Sequence, residues 1–293
     1  MDNNVKKLKN KLVKNGFEGV DCTEWRNSVR LEGELDDWGK VVRAGKIASK
    51  FGYKAVINDI VLQGFSAPEI KRASIEDASL AELKPDVLII CGGVTGCAIA
   101  RELSKYSLDI LLLEKESDVA LHASSRNDGM IHPGIASHPG TLRGEMNVRG
   151  NFLFTELCKD LSVPFERYGS LVLYSSHAFG LLLTPIFARR EKLLGIEGHK
   201  ISRSQLEKIE PNITDEAVGA FEYPSSGVLS PYKLTVSLAD NAVENGVRVS
   251  LDTIVKSLET KDKKITGVVT NRGTVRPKLV INAAGVFADQ IAG

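Results

Sequence analysis

Cysteine is scarce: the 293 residues hold four, Cys22, Cys91, Cys97 and Cys158, and no two stand in the CxxC spacing of zinc or thiol-redox motifs. A disulfide scaffold is excluded. His122, His132 and His138 are ten and six residues apart, which matches no helical metal-ligand pair, and no metal site is expected. Net charge is nearly absent too, since 38 basic residues face 37 acidic ones. No overall field pulls the chain toward nucleic acid, which is not an expected partner. Long apolar runs are missing: residues 178–188 are broken by Thr184 and Pro185, short of the ~18 residues that a membrane span needs. The opening MDNNVKKLKNKLVK lacks the apolar centre of a signal peptide. The reading is a cytoplasmic protein. What remains is an ordinary globular composition, 43% hydrophobic, over a length that suits roughly two domains.

The first segment reads by itself. Val5, Leu8 and Leu12 share one helical face while Lys6, Lys7, Lys9, Lys11 and Lys14 surround it, which predicts an amphipathic helix over 4–14. The lysines are a solvated face, with peripheral contact to an anionic surface as the minor alternative. Val29–Leu35 alternates like a half-buried strand, Asp36 and Asp37 suit a helix start, and Ala44, Ile47, Ala48 and Phe51 keep helical spacing. Residues 55–62, AVINDIVL, read as a further strand. The pattern VRLEGELDDWGKVVRAGKIASKF followed by AVINDIVL resembles a BON domain, which implies a binding or assembly role for residues 1–64. Residues 65–85, with Pro68 and Lys84-Pro85, read as a linker.

Chemistry begins at Asp86. A short apolar strand, 86–90, runs into Cys91-Gly92-Gly93-Val94-Thr95-Gly96, then an alanine-rich helix, then the strand 108–113 ending on Glu114. The unit spans 29 residues and Glu114 lies 18 beyond Gly96, the dimensions of a βαβ dinucleotide fingerprint. Gly93, Thr95 and Gly96 would receive a pyrophosphate at the helix N-terminus, and Glu114, with Lys115 beside it, an adenosine ribose. Cys91 stands where the fingerprint has its first glycine, so the turn is expected to be strained or the phosphate crowded.

The stretch after Glu114 reads Lys115-Glu116, then a loop with Ser124-Ser125-Arg126-Asn127-Asp128-Gly129-Met130-Ile131-His132-Pro133-Gly134. Here the sequence resembles the flavoprotein family that includes D-amino acid oxidase, glycerol-3-phosphate dehydrogenase and L-2-hydroxyglutarate dehydrogenase. The likeness continues through FERYGSLVL, IEPNI, GVLSPYKLTVSLADNAVENGV and VINAAGVFADQIAG, so it covers residues 85–293. It implies FAD as cofactor, lined by Ser124, Ser125, Asn127, Gly129 and Met130. It further implies that Val255 meets the adenine and that the NAAG turn, with Ala283 and Gly285, approaches the cofactor. The implied fold is α/β: a Rossmann-like FAD-binding domain, 86–150 and 228–293, with an inserted α+β substrate domain, 151–227, and the small N-terminal α+β module. Family members continue well beyond Gly293, so the substrate domain is expected to be incomplete, through a fragment or a shortened reading frame.

Oxidising a secondary alcohol needs a hydride acceptor and a group that takes the hydroxyl proton. His132 suits the second role, as histidine titrates near neutrality; it could equally only hydrogen-bond the flavin or backbone. Phe152, Phe154 and Leu157 are read as core. The expected function is an FAD-dependent dehydrogenase acting on glycerol 3-phosphate or a 2-hydroxy acid, with an unidentified electron acceptor. The alternative is a non-catalytic binding protein in which Cys91 marks a degenerate FAD site.

Overall fold

The computed structural model describes residues 3–25, 27–65 and 75–292. They form two units, the first ending and the second beginning within 66–74, so that part of the expected linker lies outside the described residues.

The first unit runs α1 (Asn3–Val13), β1 (Val20–Trp25), β2 (Ser28–Leu35), α2 (Trp38–Ala48) and β3 (Val56–Leu62). β1 and β2 pair antiparallel as a hairpin, and α2 is the crossover that lets β3 run parallel to β2. Asp37 caps α2, its Oδ1 accepting the Lys40 amide at 2.9 Å. Val5, Leu8 and Leu12 meet Val41, Ala44 and Ala48 over Val29 and Leu31 in a core closed within this unit. The helical spacing of α1 is thus satisfied by burial of one stripe.

The second unit opens with β4 (Val87–Ile90), α3 (Val94–Leu103), β5 (Ile110–Leu113), β6 (Met130–Ile131), α4 (Leu142–Asp160) and β7 (Phe165–Glu166). Next come β8 (Ser170–Tyr174), α5 (His177–Leu194), β9 (His199–Ser202), α6 (Arg203–Ile209), β10 (Gly219–Tyr223) and β11 (Gly227–Leu229). α7 (Pro231–Glu244), β12 (Arg248–Ser250), β13 (Val255–Lys261), β14 (Lys264–Thr270), β15 (Gly273–Val275), β16 (Leu279–Asn282) and α8 (Ala288–Ala292) complete it.

The central sheet is all parallel, in the order β12-β5-β4-β16. Its inner strands are apolar at every position because both faces are covered. Val87, Ile89, Ile110 and Leu112 face a helical layer that includes Cys97 and Ala100 of α3 and Leu234 and Leu238 of α7. Leu88, Ile90, Leu111 and Leu113 face the antiparallel meander β13-β14-β15 through Val268 and Val275. Residues 75–85 run along that meander: Leu80 donates its amide to Arg272 O at 2.9 Å and Asp77 pairs with Arg272 at 3.0 Å.

Two small sheets form the other layer, β8-β10-β9 and β6-β11-β7. α4 runs unbroken across residue 150, the expected domain edge, and sends Cys158 into the core of the parallel sheet. Phe154 and Leu157 pack partly against that core, but Phe152 is 81% exposed and is not core. Two residues at ~100° each carry Phe152 to the far side of α4 from Phe154. Among the described residues no helix is long and apolar enough to cross a membrane.

Candidate dinucleotide and substrate site

The site begins where the parallel strands end. The Cys91 amide donates to Leu113 O at 2.8 Å, holding the turn to β5, and the Cys91 backbone then takes φ +91°, a conformation natural only to glycine. Gly93 caps α3 with no side-chain hydrogen bond. The Val94 amide is met by Ser124 Oγ at 2.9 Å, from thirty residues downstream. Cys97 N returns to Gly93 O at 2.9 Å, while the amides of Thr95 and Gly96 have no acceptor among the described residues. Those two N–H groups are the ones a phosphate would take.

Gly96 is the close-approach residue: an added Cβ would lie 2.0 Å from Cys91 O. At Gly93 the nearest atom to an added Cβ would be Ser124 Oγ, at 3.1 Å. Bare backbone at both positions is what a pyrophosphate cradle requires, so these residues fit a dinucleotide. Burial, then the neighbouring Glu114 carboxylate, pushes the Cys91 thiol up from its ordinary value. Burial pushes Cys97 up to about 12.

Glu114 is buried at the end of β5, its backbone gripped by Ser250 O at 2.9 Å and by the Thr253 amide at 2.8 Å. Its Oε2 accepts from Gly92 N at 2.6 Å and its Oε1 from Glu116 N at 2.9 Å. A carboxylate has about four acceptor sites. The two in use pin it to the turn, and the remaining two can take ribose hydroxyls. Lys115 lays its Nζ 3.8 Å from the Phe287 ring centre, and His122 meets the same ring edge-on while pairing with Glu116 Oε1 at 3.0 Å.

The loop that follows is held mainly by its own side chains. Ser125 Oγ donates to His122 O at 3.2 Å. Asn127 donates to Ala123 O and Ser124 O at 3.1 and 3.2 Å and accepts the Gly129 amide at 3.0 Å, an Asx turn. Gly129, at φ +68°, would drive a Cβ to 2.1 Å from Leu229 O, and its carbonyl accepts the Leu229 amide at 3.1 Å. Met130 starts β6 opposite Val228. His132 follows with an exposed side chain.

The expected residues therefore fall into three places. Gly93, Thr95, Gly96, Glu114, Lys115 and Ser124 gather at the C-terminal ends of β4 and β5, with Ala283 extending the β16 ladder through its amide to Ile90 O at 3.1 Å and Gly285 opening the next turn. Ser125, Asn127, Gly129, Met130 and His132 lie on the path from there to the antiparallel layer. Val255 begins β13, pairs with Thr270 and packs on the meander core.

Sequence reasoning passed over the residues that hold this path. Asn151 of α4 donates to His132 O at 2.9 Å, Ser226 Oγ to Ile131 O at 3.1 Å, and Arg190 of α5 to Ser137 O at 2.9 Å. Their partners are backbone carbonyls, which no motif announces.

The family model described as FAD dependent oxidoreductase matches residues 86–293. The glycerol 3-phosphate dehydrogenase of Caloramator mitchellensis is 42% identical over 206 residues, 70% of this chain and 43% of that protein. The L-2-hydroxyglutarate dehydrogenase of Indibacter alkaliphilus is 30% identical over 210 residues, 70% of this chain and 51% of that protein. A solved structure, dithionite-reduced L-alpha-glycerophosphate oxidase from Mycoplasma pneumoniae with FAD bound, gives a TM-score of 0.61 at 26% identity, covering 67% of this chain and 53% of that one. The chain spans about half the length of these curated relatives.

Proposed function

The chain belongs to the family of FAD-dependent oxidoreductases, and from that membership we propose that it serves the oxidation of a secondary alcohol bearing an anionic group. Glycerol 3-phosphate is the first choice and a 2-hydroxy acid such as 2-hydroxyglutarate the second, in the order of the relatives' identity. The observation that carries the reading is the continuous path from the two acceptor-free amides at Thr95 and Gly96, through the Ser124 contact, to His132. FAD, when bound, supplies the hydride acceptor.

The chain's own residues do the rest. Thr95 and Gly96 bind phosphate oxygens, Glu114 orients the ribose, and Ser124 keeps the loop against the helix N-terminus. His132, exposed beyond β6, takes the proton of the substrate hydroxyl as the C–H bond is broken. The electron acceptor that returns the flavin to its oxidised form is a separate partner, and an artificial dye can stand for it in assay. The first unit, which closes its own core, is proposed as a binding or assembly module by its resemblance to a BON domain.

A second reading, a binding protein with a degenerate cofactor site, is favoured by the φ of Cys91. The two are separated by titrating the purified chain with FAD and then adding glycerol 3-phosphate or L-2-hydroxyglutarate without oxygen. Uptake of FAD followed by bleaching supports the enzyme; a protein that takes up no FAD supports the binding protein. His132→Ala should slow bleaching by about 10²–10⁴-fold, the usual worth of general-base help, with FAD still bound. A rate within a few-fold of the parent would leave His132 with a structural role only.

A further inference from the structure

His132 leaves β6 at the end of a small sheet, β6-β11-β7, whose three strand ends are tied together by two side chains. β6 is two residues long, and its pairing with β11 stops at Ile131. Asn151, buried on α4, supplies what the next rung does not. Its Nδ2 donates to His132 O and to Ser225 O, both at 2.9 Å, with a longer approach of 3.4 Å to Ile131 O. An amide nitrogen carries two hydrogens, so the two short contacts use both and bridge the end of β6 to the start of β11.

Arg167 immediately follows β7 and orients that amide. Its Nη1 donates to Asn151 Oδ1 at 3.1 Å and also reaches Ser225 O. Its Nη2 donates to Asn151 O and to Thr155 Oγ1, both at 2.9 Å, and its Nε to Thr155 Oγ1 at 3.2 Å. Asn151 and Thr155 are four residues apart and so lie on one face of α4. All these acceptors are neutral oxygens. The guanidinium also lies 5.0 Å from the Phe165 ring centre, and its donation to Asn151 Oδ1 polarises that carbonyl, which strengthens the donation of the amide's N–H groups to His132 and Ser225.

We propose that Asn151 and Arg167 are positioning residues for the reaction: Arg167 orients the Asn151 amide, and the amide fixes the His132 peptide beside the bound flavin. This rests on the reading of His132 given above. Ser226 Oγ, donating to Ile131 O at 3.1 Å, holds the strand one residue earlier, so the clamp governs what lies beyond it.

The test uses the full chain, with and without FAD. Asn151→Asp keeps the shape and the Arg167 partner but loses the amide hydrogens; Arg167→Met loses the orienting donors, and Arg167→Lys restores charge and part of the donation. Two signals are read: amide hydrogen exchange of residues 129–132 and 134, and the visible circular dichroism of bound FAD. Exchange at 131, 132 and 134 should rise at least tenfold in Asn151→Asp and Arg167→Met, the flavin signal should change, and Arg167→Lys should recover part of both; residue 133 is proline and carries no amide hydrogen. The double variant should add little to either single one, since both act through one amide. Unchanged exchange in Asn151→Asp would overturn the proposal, as would an increase spread along all of α4 or an unaltered flavin signal. His132→Ala separates the two claims: undiminished bleaching removes the base and leaves the exchange signature of the clamp standing.

Discussion

A Cβ added to Gly96 would stand 2.0 Å from the carbonyl oxygen of Cys91, whereas one added to Gly150 in α4 would meet nothing within 4 Å. The first glycine sets how closely α3 approaches the end of β4; the second has no such task. Gly96→Ala is expected to cost about 1–3 kcal/mol, as overpacking does, and to abolish FAD uptake. Gly150→Ala should gain roughly 0.5–1 kcal/mol from helix propensity. Denaturant unfolding and FAD titration of both variants check the pair; a tolerated Gly96→Ala would mean that helix and turn separate freely.

Cys91 carries the complementary strain. A side chain in left-handed backbone costs roughly 1–2 kcal/mol, part of which glycine returns through the greater entropy of its unfolded chain. Cys91→Gly should therefore change stability by under about 1 kcal/mol while tightening FAD binding, because backbone alone then faces the cofactor. Equal or weaker affinity would show that the turn accommodates or uses the thiol.

The same turn sets an order of thiol reactivity. Only a thiolate is alkylated, so a raised pKa slows labelling below that pKa by about tenfold for each unit of pH withheld. Cys97, buried and pushed up to about 12, should stay unlabelled at pH 8 until the protein unfolds. Cys91, the one of the four not fully buried, should label first, faster as pH rises, and FAD should protect it. Mass spectrometry of iodoacetamide-treated protein reads this directly; early labelling of Cys97 would contradict its burial.

Much of this was legible beforehand. Short apolar runs such as Val87–Ile90, set before a glycine-rich turn, suited doubly covered strands, and the interval from Gly96 to Glu114 placed the acid at the end of the second. The small sheet was not legible, because strands of two or three residues such as Met130–Ile131 and Gly227–Leu229 are too short to show a period. Asn151 and Arg167 were hidden for another reason: what they grip is main chain up to 74 residues away. The Phe152 expectation failed because near-helical spacing does not fix which side of a helix is the inner one.

Glu114 offers a stricter test than removal of its charge by alanine. Glu114→Gln keeps the volume but turns one acceptor into an N–H group facing the amide of Gly92 or Glu116, which now sit at 2.6 and 2.9 Å from carboxylate oxygens. Hydrogen bonds to charged groups are worth about 1.5–3 kcal/mol, so FAD affinity should drop roughly ten- to a hundredfold. A loss below about twofold would mean that the carboxylate serves the turn and not the ribose.

The two hydrophobic cores, one gathered on Val5, Leu8 and Leu31 and the other on Ile89, Leu112 and Leu234, share no residue. Every group assigned to the cofactor lies in the second unit. Ligand linkage therefore falls on one part of the chain: at a hundredfold excess over Kd, FAD adds about 2.7 kcal/mol to the unfolding of the second unit. Calorimetry should resolve two heat-absorption peaks, of which added FAD moves one upward by several degrees while the peak of the lysine-rich first unit keeps its temperature.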